Sequence, residues 1–267
     1  MRVGGRKILL CGMKILLIGD SCIDTFIYGT CNRLNPEAPT PIFAKNYESV
    51  TPGMSGNVKA NMESLGINPI LITHDTVITK TRYVDEKSNY ILLRVDNDSF
   101  VNKIDPKLLL EIPFHEFDAV VISDYNKGFL DKESIEYILV NSNLSFIDTK
   151  KPLGGWIASA SFIKINETEF NNPNHEPYII DKLRHKIIVT KGDKGCDLNG
   201  LNYPTKKVEV RDVVGAGDTF LSAFSLAMIK TNSIETSIFF ANECATHVIQ
   251  KRGVSDLADM YDFFKKL

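Results

Sequence analysis

At 267 residues the chain has room for one or two domains and a sizeable core. Its 43% hydrophobic and 24% charged residues are ordinary for a globular chain. A net charge of −2 with no long basic run argues against a nucleic acid or membrane partner held by field alone. The five cysteines form no C-x-x-C pair and the five histidines never fall at metal-ligand spacing. No apolar run approaches the roughly 18 residues that span a bilayer, so reduced thiols and a cytoplasmic setting are expected.

In chain order, Lys7-Ile-Leu-Leu-Cys-Gly12 is nearly repeated as Lys14-Ile-Leu-Leu-Ile-Gly19, and only the second copy runs into a Gly19-Asp20 turn. Lys14 interrupts the apolar stretch and no small-residue cleavage site follows, which argues against a signal peptide. We expect one domain over residues 13–267 and a dispensable extension over 1–12. Short Val- and Ile-rich runs then recur, most ending on a polar residue. They are Ile15–Ile18 before Asp20, Ala119–Ile122 before Asp124, Ser145–Ile147 before Asp148, Phe162–Ile165 before Asn166, and Ile187–Val189 before Thr190. Such runs suit parallel strands buried on both faces. Helical spacing appears from Asn57 to Leu65 (Val58, Met62 and Leu65 on one face, Gly66 as the stop), after Asp131, from Thr219 to Ile229, and after Ser233. Alternating strands and helices predict an α/β sandwich whose ligands bind beyond the carboxyl ends of the strands. Residues 25–50 and 77–96 break the pattern. They carry strand-forming residues without a helical period, with Asp85–Asn89 as a hairpin tip, and predict a small antiparallel sheet serving as a lid.

The chemistry-bearing segments lie at the ends of these runs. Arg211-Asp-Val-Val-Gly-Ala-Gly-Asp218 opens directly into a helix, so free N–H groups and the positive end of the helix dipole face the Gly215-Ala216-Gly217 loop. A bare backbone of this kind can approach a phosphate, with Asp218 beside it; an ordinary glycine turn with Asp218 as helix cap is the plainer reading. Asp20 and Asp24 after the first run can bond sugar hydroxyls or simply close a turn. Pro52-Gly53-Met54-Ser-Gly-Asn57 is a second glycine loop, and Asn57 is either a cap or a polyol ligand. Asn166-Glu167-Thr168-Glu169 fits both a helix capping box and a shell of waters around Mg²⁺. Thr190-Lys-Gly192-Asp-Lys-Gly195 is a glycine turn that can cradle a nucleotide. No G-x-x-x-x-G-K-[ST] occurs, nor H-R-D or D-F-G, which excludes P-loop enzymes and protein kinases.

Taken together and in this order, the motifs resemble the ribokinase-like carbohydrate kinase family, from about Lys14 to the C-terminus. The resemblance implies a three-layer α/β sandwich with a mainly parallel central sheet, a small antiparallel β lid, ATP and Mg²⁺. It makes Asp218 the catalytic base and Gly215, Ala216 and Gly217 the anion hole. It sets Asn166, Glu167, Thr168 and Glu169 near ATP, with Asn166 and Glu169 reaching the metal through water. Thr190, Gly192, Gly195 and Asn242 would line the nucleotide pocket, and Asp24, Gly53 and Asn57 would hold the sugar. A narrower resemblance is carried by Gly19-Asp20, Arg33-Leu-Asn-Pro-Glu-Ala-Pro-Thr-Pro41, Ile78-Thr-Lys-Thr-Arg82, Leu93-Arg-Val-Asp96, Ser123-Asp-Tyr-Asn-Lys-Gly128 and Phe239–Asn242. These look like the D-glycero-β-D-manno-heptose-7-phosphate kinase branch, the kinase half of a bifunctional kinase/adenylyltransferase.

On charge grounds, Lys80, Arg82, Arg94 and Lys127 are expected to include ligands for the sugar's own phosphate, a solvated lid face being the alternative. Met54 stands where the branch usually has a second glycine. The chain also skips a helix and strand between Ile72 and Thr76 and is short between Glu169 and Lys186. No H-x-G-H signature occurs, so a separate adenylyltransferase is expected, and a homodimer through the lid strands would cover sheet edges. Two other readings stay open: a kinase of another sugar or nucleoside, and a non-catalytic sugar-phosphate scaffold.

Overall fold

The computed structural model describes residues 12–98, 101–251, 253–254 and 256–267. Nearly all of the proposed extension, residues 1–11, lies outside them. The Val- and Ile-rich runs form the strands β1 (Ile15–Gly19), β7 (Ala119–Asp124), β8 (Ser145–Thr149), β9 (Phe162–Asn166) and β10 (Ile187–Thr190). β4 (Ile70–Ile72) joins them in parallel on one side. The hairpin β11 (Cys196–Leu198) and β12 (Leu201–Tyr203) adds antiparallel strands on the other. The eight-stranded order is β12-β11-β10-β9-β8-β7-β1-β4. Because the six strands from β10 to β4 run parallel, their carboxyl ends collect Gly19, Asp124, Thr149, Asn166 and Thr190 along one edge.

Both sheet faces are covered, as runs that are apolar at every position require. One core holds Ile15 and Leu17 against α1 (Ser55–Ser64), α6 (Ala216–Thr231) and α7 (Ile234–Val248), with Val58, Met62, Phe220, Phe224 and Phe240 buried. The other holds Leu16 and Ile18 against α3 (Lys132–Asn141) and α5 (Pro177–Leu183), through Ile135, Ile138, Ile179 and Leu183. The helix starts read from sequence hold: Asp131 caps α3, accepting from the Ser134 N–H, and Ser233 caps α7, accepting from the Thr236 N–H. Between Asn166 and β10 lie α4 (Glu167–Phe170), α5 and a 3-10 turn over Arg184–Lys186.

The second sheet is built from β2 (Ser21–Leu34), β3 (Pro41–Met54), β5 (Thr79–Asp85) and β6 (Ile91–Asn97), in the order β3-β2-β5-β6. Each hairpin is antiparallel as predicted, and one parallel pairing, β2 with β5, joins the two. Its strands reach further than residues 25–50 and 77–96, because β2 leaves β1 after a single residue and β3 runs straight into α1. At that junction Met54 is fully buried with φ 56 and ψ −130, a conformation that L side chains seldom adopt. Across the sheet Asp24, Lys80 and Asp96 stand in register, which puts them on one face.

Candidate active site

Asp218 is neither an N-cap nor a surface residue. Gly215 is the N-cap of α6, in the left-handed region at φ 80, and Asp218 is the third residue of the helix, 3% exposed. A side chain at Gly215 would be strained and would meet the Asn57 amide at 2.7 Å. Asn57 is likewise not a cap: it lies in the first turn of α1 and donates from Nδ2 to Asp218 Oδ2 at 3.0 Å. The Tyr125 hydroxyl donates to the other carboxylate oxygen, Oδ1, at 2.7 Å. Burial pushes the Asp218 carboxyl up to about 6, against the lowering pull of these two hydrogen bonds, while Asp148 raises it and Lys164 lowers it.

Beside the anion loop is a chain of charges, Lys164, Asp148, Lys150 and Glu169, of which the sequence reading gave a role to Glu169 alone. Lys164, on β9, is 4% exposed and donates to Asp148 Oδ2 at 2.6 Å. Its Nζ is so close to Gly217 that a Cβ there would stand 2.9 Å away. Lys150 pairs with Glu169 and, at 3.4 Å, with Asp148. Burial alone would raise the Asp148 carboxyl, but Lys164 and Lys150 outweigh it and hold it below the usual carboxylate range. Burial works against the Lys150 ammonium, yet Asp148 and Glu169 push it up to about 12. Lys164 was visible as a lone cation inside the apolar run Phe162–Ile165, and Tyr125 inside the quoted Ser123–Gly128 segment. Neither signal says what the side chain touches.

Four of the residues expected at the nucleotide come together. Thr190, Gly192, Gly195 and Asn242 line one cavity of about 430 Å³ with Ala216 and Gly217, so it opens onto the anion loop. Asn166 and Glu169 form the predicted capping box, with Asn166 Oδ1 accepting from the Glu169 N–H and Glu169 Oε2 from the Asn166 N–H, both at 2.8 Å. None of the four residues from Asn166 to Glu169 lines the cavity, and Glu167 and Thr168 are exposed. The oxygens of Asn166 and Glu169 are hard donors that keep lone pairs beyond the capping bonds, so they fit a hydrated Mg²⁺ ion.

On the sugar side, Asp24 faces the bare backbone of Gly53, where a Cβ would sit 2.1 Å from Asp24 Oδ2. Asp24 is buried with Arg82, whose Nη1 donates to Oδ1, and the Arg82 guanidinium lies 5.0 Å over the Phe26 ring. The Cys22 Sγ lies 3.9 Å from Asp24 Oδ2, and burial together with the Asp24 carboxylate pushes that thiol up to about 12. Lys80 is buried and lies 5.3 Å over the Tyr125 ring. Arg94 and Lys127 are less committed to the site. Arg94 makes a two-pronged bond to Asp96 on an exposed strand, and Lys127 pairs with Asp98 at 2.6 Å. Asp20 serves its turn: its Oδ2 accepts from the Tyr125 and Lys127 N–H groups.

An anion cradle at a helix start, a buried carboxylate beneath it, a nucleotide-sized cavity on one side and a polar lid on the other define a small-molecule phosphotransferase. A profile of the pfkB family carbohydrate kinases matches residues 55–259, and the chain belongs to that family. It is 31% identical to the bifunctional protein HldE of Helicobacter acinonychis over 90% of this chain, and 30% identical to that of Haemophilus influenzae over 92%. The chain spans 63% and 62% of the length of those relatives. Among solved structures it resembles Arabidopsis thaliana ribokinase complexed with ribose and ATP, with a TM-score of 0.68 and 14% identity, covering 96% of this chain and 99% of that one. Escherichia coli phosphofructokinase-2 in complex with substrates and products gives a TM-score of 0.69 and 14% identity over 96% and 99%. At those identities the likeness is of fold, here the ribokinase-like α/β sandwich with its small second sheet. No helix among the described residues is long and apolar enough to cross a membrane.

Proposed function

We propose that this ATP-dependent sugar kinase transfers the γ-phosphoryl group to the anomeric hydroxyl of D-glycero-β-D-manno-heptose 7-phosphate, giving the 1,7-bisphosphate, a step toward an ADP-heptose. The observation that carries the phosphotransfer reading is Asp218, buried under the Gly215–Gly217 cradle and hydrogen-bonded to Asn57 on the sugar side. Its carboxylate takes the proton of the attacking hydroxyl. The free N–H groups of α6 and the Lys164 ammonium stabilise charge on the moving phosphoryl group. Mg²⁺, held through water by Asn166 and Glu169, would supply further neutralisation of phosphate charge. Asp24, Gly53 and Asn57 orient the sugar, and the lid sheet excludes water that would otherwise hydrolyse ATP.

The heptose assignment rests on the branch-like segments around Pro36–Pro41 and Ser123–Gly128 and on relatives about 30% identical. The same reading sets the enzyme in the cytoplasm as a homodimer through the lid; the relatives themselves are named bifunctional. One observation favours a second reading, a sugar without a phosphate of its own. Arg82, Arg94 and Lys127 already have carboxylate partners, which leaves Lys80 without one at ion-pair distance among the described residues.

An ADP-release assay over sugars, nucleosides and sugar phosphates separates the two readings. Heptose 7-phosphate is expected to give the highest kcat/KM, with Asp218→Asn as the control. Preference for an unphosphorylated sugar would replace the substrate assignment, and ATP turnover with no accepted sugar would favour a scaffold.

A further inference from the structure

Tyr125 follows the last residue of β7 and touches three parts of the site at once. Its hydroxyl donates to Asp218 Oδ1 at 2.7 Å. Two ammonium groups lie over its ring, Lys80 from the lid at 5.3 Å and Lys150 from the end of β8 at 5.1 Å. Its backbone N–H is held by Asp20 Oδ2 at 2.8 Å, and the next residue, Asn126, turns the chain at φ 57 with its own N–H on Asp124 Oδ1. Backbone and ring are therefore fixed independently of the hydroxyl. The two cations stabilise the ring through its negative face.

From this we infer that Tyr125 is a positioning residue for phosphoryl transfer, holding Oδ1 of Asp218 so that the carboxylate keeps one orientation toward the acceptor hydroxyl. The inference rests on Asp218 being the base.

A carboxylate offers about four lone-pair sites. Asn57 and Tyr125 occupy one on each oxygen, which stops rotation about the last side-chain bond and leaves the remaining sites for the sugar. A general base gains most from being held at one angle, because small misplacements of reacting groups cost large factors in rate. Burial and the neighbouring Asp218 and Asp148 carboxylates push the Tyr125 hydroxyl well above its ordinary value, so it stays protonated and remains a donor throughout the working range.

The groups that act on the Asp218 carboxyl are Asn57 from α1, Tyr125, Asp148 from β8 and Lys164 from β9. Of these, Asn57 and Tyr125 donate hydrogen bonds to its carboxylate. Loss of the Tyr125 hydroxyl removes a bond to the ionised form and so shifts the base toward protonation. The acid side of the pH profile must move up.

The test is Tyr125→Phe in the full-length enzyme, assayed with the sugar the wild type turns over fastest. We expect kcat to fall roughly tenfold to a hundredfold, the scale of one hydrogen bond to a charged group. The acid limb of kcat should move to higher pH, and ATP affinity by calorimetry should stay unchanged. On an Asp218→Asn background the same substitution should cost no further activity, since both act through one carboxylate. Fluorotyrosine at position 125, a stronger donor of the same shape, should move the limb the opposite way, and it serves if the phenylalanine variant is unstable.

Wild-type kcat with an unmoved limb would overturn the inference. So would a loss that persists in full on the Asp218→Asn background. Turnover surviving intact in Asp218→Asn alone would instead overturn the base assignment beneath it.

Discussion

Burial raises the carboxyl of Asp218, the proposed base, and that has opposite effects on rate and stability. Its carboxyl is raised from 3.8 to about 6, so activity should fall as pH drops through 6, the ionised form being the one that accepts a proton. For stability the sign reverses. A carboxyl whose folded value lies above its unfolded one destabilises the native state at high pH, and the penalty fades as pH falls from 6 toward 4. At pH 8 it is on the order of 3 kcal/mol. Asp218→Asn should thus lose about 10²–10⁴ in turnover while binding ATP normally. It should also melt several degrees higher than wild type at pH 8, with the gap closing near pH 4. A variant that melts lower at pH 8 would count against the burial account. Asp218 itself was legible because it sits in a dense local motif. Its partners Asn57 and Tyr125 are 161 and 93 residues away, and no local pattern announces such contacts.

At the scale of elements, the strand runs and the helix starts at Asp131 and Ser233 were readable because each is set by neighbours in sequence. The lid was readable as strands but not as a pairing. That β2 lies parallel to β5 depends on how two hairpins pack, and periodicity within either one carries no trace of it. The pairing brings Asp24 beside Arg82, and here the basic residues part company. Arg82→Ala leaves a buried carboxylate alone, so we expect a loss of about 3–5 kcal/mol in denaturant unfolding together with a raised KM for the sugar phosphate. Arg94 is bonded to a partner on an exposed strand, so Arg94→Ala should change stability by less than about 1 kcal/mol. Any KM effect there would report on substrate alone. An unchanged KM in both variants would remove them from the sugar-phosphate site.

For the whole molecule, the two sheets differ in how they are covered. The eight-stranded sheet is enclosed by helices, whereas the lid turns Asp24, Arg82 and Lys80 inward and leaves Ile23, Val50, Leu93 and Val95 exposed on the opposite face. An apolar strand surface of this kind needs a cover. If a second copy supplies it, Val50→Asp with Leu93→Asp should convert a dimer to a monomer in light scattering and weaken sugar binding through a looser lid. A wild-type protein already monomeric at micromolar concentration would end that proposal.

The junction of lid and body holds two opposed demands at one residue. Met54 keeps a backbone angle that suits glycine, at a cost of order 1–3 kcal/mol, yet its side chain fills the space among Cys22, Ile78 and their neighbours. Met54→Gly would relax the angle and empty that space, and emptying a buried methionine site costs about 2–5 kcal/mol. The expected sum in chemical denaturation is a net loss. Relief of the angle and filling of the space therefore cannot both be had by a single change at this position.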